Sequence, residues 1–364
     1  MNNTVALLIN LPILFLVYLM IYFTQNLSGE RHFYGISLNN NYFNKYEFKV
    51  LDKRFKLLIT LGFIVFSIIT LVLIYIFNSY AVASILPILG FCLYQFFVYV
   101  YIHNNVKTLK KELALNISDL DIERTNVVFD TEFMNEKNRI VKKFSIWFMI
   151  PTIIVVLVGA YVMSQYNSIP DIIPTHWGIS GKADAFNNKT FISISSQVLM
   201  MVGLGIIIYI SSVGSLKSRA KLSIDDINKS KKSHLHYLNM LGFTFLILII
   251  GCQVIVIHIL IAMYNASDVS PMILLPCTIV IVLAAIYQTY LYYKSPSKSK
   301  DAVYSVDDED CLWIFGCIYN NNNDPSLFVQ KRFGVGWTVN IGTTMGKLLF
   351  ILPFVILLVV LILI

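Results

Sequence analysis

His176 and Asp184 are the residues whose types and spacing most resemble a chemical site. They lie in the stretch Ile169-Pro170-Asp171-Ile172-Ile173-Pro174-Thr175-His176-Trp177-Gly178-Ile179-Ser180-Gly181-Lys182-Ala183-Asp184-Ala185-Phe186. A histidine beside carboxylates can shuttle protons or bind a metal. His176 and Asp184, with Asp171, would then form an acid–base or metal site. One histidine and two carboxylates do not reproduce a recognised zinc-ligand spacing, so the metal is left open. Two other readings use the same residues. Pro170 and Pro174 stiffen the entry, Trp177 suits a membrane interface, and Gly178 and Gly181 admit unusual backbone angles. The stretch could thus be a rigid cap seated on helix ends, or a recognition surface for an extracytoplasmic ligand.

Other catalytic signatures are missing from the sequence. There is no Gly-x-x-x-x-Gly-Lys-Ser/Thr loop, so an ATP-driven motor within this chain is not expected, and neither His-Glu-x-x-His nor Gly-x-Ser-x-Gly occurs. Gly334 and Gly336 sit in a hairpin setting, which speaks against a dinucleotide loop. Cys92, Cys252 and Cys277 lie in apolar segments, while Cys311 and Cys317 lack a zinc or redox spacing. No disulfide framework and no cofactor are expected.

The elements that must position these residues are membrane helices. Of 364 residues, 57% are hydrophobic and 13% charged, against about 25% charged in soluble domains. Apolar runs cover Val5–Phe23, Leu57–Phe77, Ala81–Ile102, Ile146–Met163, Phe191–Ser212, Tyr237–Tyr264, Pro271–Tyr292 and Leu348–Ile364. Each is near the roughly 20 residues that a bilayer demands. Met1 to Thr4 contains no basic residue, so the first run reads as a retained helix and not as a cleaved signal. Among the loops, Thr24–Lys56, His103–Ser145, Val213–His236 and Tyr293–Lys347 are rich in Lys and Arg. Asn78–Tyr80 and Asn265–Ser270 have none, and Ser164–Thr190 has only Lys182 and Lys189. Under the positive-inside rule this strict alternation predicts eight spans with both termini extracytoplasmic. The net charge of +7 reads as loop charge that fixes orientation, with no nucleic-acid partner.

The spans carry almost no ionisable residue. His258 lies in the sixth, and Gln95, Gln197, Gln253 and Gln288 are the other large polar side chains, suited to hydrogen bonding between helices. With no Asp, Glu, Lys or Arg at mid-membrane depth, an ion-coupled transporter or pump is disfavoured. The inner loop His103–Ser145 is expected to be partly helical. In the last inner loop, Asp307-Asp308-Glu309-Asp310 precedes the β-rich run 312–319. Asn320 to Pro325 then signals a turn, and 326–338 is extended again. That predicts one cytoplasmic β-hairpin. A lone hairpin is marginal in water, so it must pack on helix ends, on the Phe33–Leu38 stretch, on a second copy or on a partner.

Pro174-Thr175-His176-Trp177 with Gly181 and Asp184 resembles the P-x-H-W/F-x-x-x-G-x-x-D signature of a bacterial membrane domain of unknown function. That domain is best known from the SdpI-type immunity proteins of Gram-positive bacteria. The resemblance implies a helix, an outer loop and a helix over roughly Ile146 to Gln197. It also implies protection against a secreted toxin and signalling to a membrane-held cytoplasmic repressor, with no catalytic role for the motif residues. The C-terminal loop is similar to a second domain of unknown function. Trp313, Phe315-Gly316, Tyr319-Asn320, Asp324-Pro325, Phe328-Val329, Lys331-Arg332, Gly334, Gly336-Trp337-Thr338 and Asn340 carry that likeness. The abundance of Lys, Asn and Ile fits a low-GC Gram-positive source.

The expectation is therefore an all-α integral membrane protein of eight transmembrane helices with a small cytoplasmic β-hairpin in the last inner loop. Four regions are expected: an N-terminal three-helix region (1–145), the P-x-H-W domain (146–212), two further helices (213–292), and the hairpin with the last helix (293–364). The function expected is a non-enzymatic immunity or signal-transduction protein of the cell membrane. Pro174, His176, Trp177, Gly181 and Asp184 would meet a peptide toxin or envelope component. Trp313, Tyr319, Asp324, Arg332, Trp337 and Asn340 would dock a cytoplasmic regulator or a second protomer. The alternatives are a membrane enzyme with an outward His/Asp site, and an accessory subunit of an envelope transporter.

Overall fold

A computed structural model of the chain describes residues 3–28, 32–38, 40–77, 80–113, 131–178, 180–218, 222, 226–296 and 309–363. The middle of the His103–Ser145 loop, part of the Val213–His236 loop, and Asp307 and Asp308 of the acidic run lie outside the described residues. The helices are α1 (Asn3–Tyr22), α2 (Thr24–Leu27), α3 (Asn40–Phe43), α4 (Tyr46–Tyr75), α5 (Tyr80–Glu112), α6 (Thr131–Ser164), α7 (Phe191–Lys217), α8 (Ile227–Tyr264), α9 (Pro271–Tyr293) and α10 (Thr344–Leu363). Six of them, α4 to α9, are long and apolar enough to cross a membrane, and two shorter apolar stretches lie in α1 and α10. The chain is thus a multi-pass membrane protein. Leu61, Val65 and Ile68 of α4, Leu157 of α6, and Leu283 and Ile286 of α9 are exposed, as side chains that face lipid must be.

Several helices run past their apolar segments. At 38 residues and 1.5 Å per residue, α8 is about 57 Å long, well beyond the ~30 Å hydrocarbon layer. Its first turns carry Lys229, Lys231 and Lys232. Much of what the charge pattern assigns to loops is therefore helix. Local signals fix the starts. Thr190 and Ser193 form a capping box at α7, the Asp226 side chain accepts from the Lys229 N–H at α8, and Pro271 opens α9.

The expectation of helices plus one hairpin is corrected in detail. Four two-stranded antiparallel sheets are present among the described residues. Strands β1 (His32–Phe33) and β2 (Ile36–Ser37) pair, as do β3 (Ile172–Trp177) and β4 (Ala183–Asn188). Strands β5 (Trp313–Ile314) and β6 (Ile318–Tyr319) form a third pair, and β7 (Phe328–Gln330) and β8 (Trp337–Val339) a fourth. The C-terminal loop thus makes two hairpins and not one. Phe315 and Gly316 take positive φ angles of 50° and 68° and turn the chain early, before the Asn320–Pro325 signal is reached.

The chain divides into two compact units. The first comprises 1–126, 305–321 and 330–338; the second comprises 127–304, 322–329 and 339–364. In the first, Phe48, Phe55, Ile59, Phe91 and Ile102 of α4 and α5 build an apolar core with Phe33, Tyr34 and Ile36, against which Phe333 packs. In the second, Val155, Val162, Ile194, Val198, Val256 and Leu260 of α6, α7 and α8 form a core that also takes up Ile169 and Ile173.

Candidate functional site

The β3–β4 hairpin of the second unit is built from the bottom up by its prolines and glycines. The Lys189 N–H donates to the Asp171 carbonyl at 2.7 Å, and Ile172, Ile173 and Pro174 pair with Asn188, Asn187 and Phe186. Antiparallel pairs alternate between bonded and non-bonded. With Asp171–Lys189 bonded, Ile173–Asn187 is bonded too, and Pro174 falls where no N–H is needed. The register then slips at His176, which pairs with Ala185, and at Trp177, which pairs with Ala183.

The tip is pinned to the loop between α8 and α9. The Trp177 indole donates to the Ser267 carbonyl (3.0 Å), and the Ala183 N–H to Asp268 Oδ1 (2.9 Å). The Val269 N–H donates to the Gly181 carbonyl (2.8 Å). Gly181 has φ +80°, and a Cβ there would run into the Val269 carbonyl oxygen, so both dihedral and space require glycine. The Ser270 N–H donates to His258 Nε2 at 2.8 Å. The one ionisable side chain that the sequence places inside a span is therefore an acceptor that holds this same loop.

His176 and Asp184 meet above that brace, with Nδ1 and Oδ1 2.5 Å apart. Their side chains are 68% and 53% exposed. The carboxylate engages Nδ1 and leaves Nε2 to solvent, which fixes the ring's orientation. Asp171 does not join them: it pairs with Lys189 at 3.3 Å, whose ammonium also donates to the Ile169 carbonyl (2.6 Å). Among the described residues no three His, Cys, Asp or Glu side chains gather as metal ligands would. Pro174 and Gly181 are buried and Trp177 is half-buried. Of the predicted set, these three hold the cap and His176 and Asp184 face solvent.

The C-terminal residues do different work. In the first unit, Asp310 accepts from the Arg332 guanidinium through Oδ1, from the Lys110 ammonium (2.8 Å) through Oδ2, and from the Ser37 N–H (3.2 Å). Burial alone would raise the Asp310 carboxyl, but Arg332 and Lys110 more than reverse this and hold it down to about 2. The guanidinium lies 5.0 Å over the Trp313 ring, which in turn meets Tyr319 at 5.1 Å. Two hairpin turns, Tyr34-Gly35 and Phe315-Gly316, lie against each other; a Cβ on Gly35 would fall 2.9 Å from the Gly316 Cα. Tyr99 donates its hydroxyl to the Phe315 carbonyl (2.8 Å), and His103 Nδ1 lies 2.8 Å from the Tyr34 carbonyl. Burial, then the Asp52 carboxylate, pushes the Tyr34 hydroxyl up, so it stays protonated and donates to Asp52 at 3.0 Å.

Trp313, Tyr319, Arg332 and Asn340 are buried. In the second unit, Asn340 donates through Nδ2 to the Asp324 carbonyl (2.9 Å) and accepts from the Gly342 N–H (3.0 Å). Asp324 itself accepts from the Ser326 N–H (2.8 Å). Of the six predicted docking residues, only Asp324 and Trp337 keep intermediate exposure. Of the four supports left open for the hairpin, the structure uses two, the Phe33–Leu38 stretch and the end of a helix, α5. Sequence reasoning missed Tyr99, near the end of the apolar run of α5, His103 and Lys110, which lie beyond that run, and Asp268, whose loop was read only for its lack of positive charge. Only the glycines Gly35 and Gly316 marked these turns, since Tyr-Gly and Phe-Gly are not among the usual hairpin dipeptides.

Comparison with known families places a domain of unknown function (DUF1648) over residues 152–202, spanning the cap and parts of both flanking helices. A family of unknown function (DUF5808) matches residues 323–347. No curated protein and no solved structure matches the chain. Two regions of this chain thus belong to recurring domains whose function is not established.

Proposed function

We propose that the chain is a non-enzymatic membrane sensor or immunity protein whose β3–β4 cap meets a peptide or envelope component outside the cell. The observation that supports this is the braced and exposed His176–Asp184 pair. Trp177, Gly181 and Ala183 tie the hairpin tip to residues 267–269, and the His176–Asp184 pair stands in solvent above the tie. A rigid polar surface of this kind loses little conformational entropy on binding. The alternation of basic and charge-poor loops supports eight spans, with α1 and α10 as the first and last and both termini outside. The likeness to SdpI-type proteins supports a secreted peptide toxin as ligand, with a cytoplasmic regulator as the receiver. Replacing His176, Trp177 and Asp184 with alanine at unchanged membrane levels should abolish toxin protection and alter expression of the neighbouring genes. Unchanged sensitivity and unchanged expression would sink the reading.

One observation favours a second reading, a membrane enzyme. With Asp184 on Nδ1, His176 Nε2 is oriented toward solvent as a general base would be. His176→Gln should then abolish turnover of a lipid or wall precursor with folding intact. Full protection by the Gln variant would exclude this role.

A further inference from the structure

The exposed side of α4 changes character at a depth that the first unit itself measures. Leu57, Leu61, Ile64, Val65, Ile68 and Ile76 are exposed. Leu57 to Ile76 covers about 29 Å at 1.5 Å per residue, the thickness of the hydrocarbon layer. On the same count, Tyr80 to Tyr101 of α5 covers about 32 Å. Both helices therefore leave the hydrocarbon at one level, near Leu57 and Tyr101. The headgroup layer extends about 5–8 Å further. Arg54 and Lys53 are exposed, three and four residues before Leu57 and so on its face of the helix. They lie about 4.5 and 6 Å past Leu57, inside the headgroup layer, while Lys49, about 12 Å past, lies outside it. The Arg54 guanidinium stands 5.3 Å from the centre of the Tyr101 ring, a cation–π contact that ties it to α5. The nearest acid in sequence, Asp52, is taken by the Lys56 ammonium (2.7 Å) and the Tyr34 hydroxyl (3.0 Å). Glu47 is two turns from Arg54, about 10 Å further out. Among the described residues no carboxylate pairs with Lys53 or Arg54.

We propose that Lys53, Arg54 and Tyr101 bind the phosphodiester of an anionic phospholipid, in the leaflet at the basic end of α4. The Lys53 ammonium and the Arg54 guanidinium donate to the phosphate oxygens, the guanidinium through two parallel N–H groups. Leu57 and Phe97, each one turn deeper and 59% and 67% exposed, meet the acyl chains. Charge selects the class of lipid. A zwitterionic lipid brings its own cation to the site and leaves Lys53 and Arg54 in excess. A lipid of net negative charge brings none and neutralises them. Two basic residues at an anionic surface are worth roughly thirtyfold in affinity, which sets the size of the preference.

The test is site-specific photocross-linking of the full chain in vesicles of equal parts phosphatidylglycerol and phosphatidylcholine. Phe97 is replaced by photoreactive benzoylphenylalanine, and the lipid joined to that position is identified by mass. Phosphatidylglycerol adducts should exceed phosphatidylcholine adducts by roughly thirtyfold. Arg54→Gln should lower the ratio roughly fivefold. Continued cross-linking to phosphatidylcholine then reports that the variant is folded and inserted. Lys49→Gln removes the same charge from outside the headgroup layer and should leave the ratio unchanged. Exchanging chloride for inorganic phosphate at constant ionic strength should also leave it unchanged. Equal labelling by the two lipids would overturn the site. So would a loss with Lys49→Gln as large as with Arg54→Gln, which would mean a diffuse field, or a ratio that collapses in free phosphate, which would mean a soluble anion.

Discussion

Replacing Asp310 with asparagine should cost the first unit several kcal/mol. The carboxylate is 14% exposed and its partners Arg332 and Lys110 are 6% and 13% exposed, so solvent screens the group little. Removing one partner of a buried charge cluster costs about 3–5 kcal/mol, because the remaining charges stay buried without compensation. The carboxyl itself gives a smaller figure. Its pKa falls from 3.8 to about 2, and at about 1.4 kcal/mol per unit this links roughly 2 kcal/mol to its ionisation. That figure excludes the cost of stranding Arg332 and Lys110. Thermal unfolding in detergent, followed by tryptophan fluorescence, should fall by roughly 6–20 °C at about 2–4 °C per kcal/mol. Adding Arg332→Gln should cost less than the sum of the two single changes. The folded pKa lies below the unfolded one, so this stabilisation is present above about pH 4 and is lost as pH falls toward 2. The asparagine variant should lack that acid-sensitive part. A shift below about 2 °C, or an unchanged acid profile, would refute the cluster's role.

Gly181→Ala should detach the cap from the α8–α9 loop, since its Cβ meets the Val269 carbonyl oxygen and φ is +80°. Faster hydrogen exchange at residues 176–184, with the helices unchanged, would report this. Thr190→Ala removes the acceptor for the Ser193 N–H and should cost about 1 kcal/mol, seen as fraying of the first turn of α7. Gly316→Ala would place a Cβ 2.7 Å from His103 Cε1 at φ +68°, and strain of about 1–3 kcal/mol should lower the melting temperature. Tyr99→Phe loses the bond to the Phe315 carbonyl and should cost about 1 kcal/mol.

The membrane helices were legible because uncharged apolar runs of bilayer length are the mark of a spanning helix, while shorter ones suit a buried core. The cap was legible in composition but not in pairing. Pro174, Gly178 and Gly181 announced a stiff turn, and His176 and Asp184 meet because the slip in register brings residues eight apart across the strands. Asp171 looked equivalent to Asp184 in sequence, yet Lys189, two residues before α7, draws it away. The two tight turns were hidden because tyrosine and phenylalanine seldom adopt positive φ. Here packing against Tyr99 and His103 holds them there. Asp310 could not be matched to Lys110 from the sequence, because 200 residues separate them and nothing local marks the pair.

The completion of the first unit by Arg332, Phe333 and Gly316 has a consequence for synthesis. Tyr34, Phe55 and Tyr99 leave the ribosome early, but Phe333, whose ring stacks 4.3 Å from Tyr99, arrives after more than 200 further residues. At about 5–20 residues per second, the pocket stays open for roughly 10–50 s while the later helices insert. A nascent chain halted before Phe333 would display those aromatics to insertase, chaperone or protease, so quality control of this protein should act on its earliest helices until its last loop emerges.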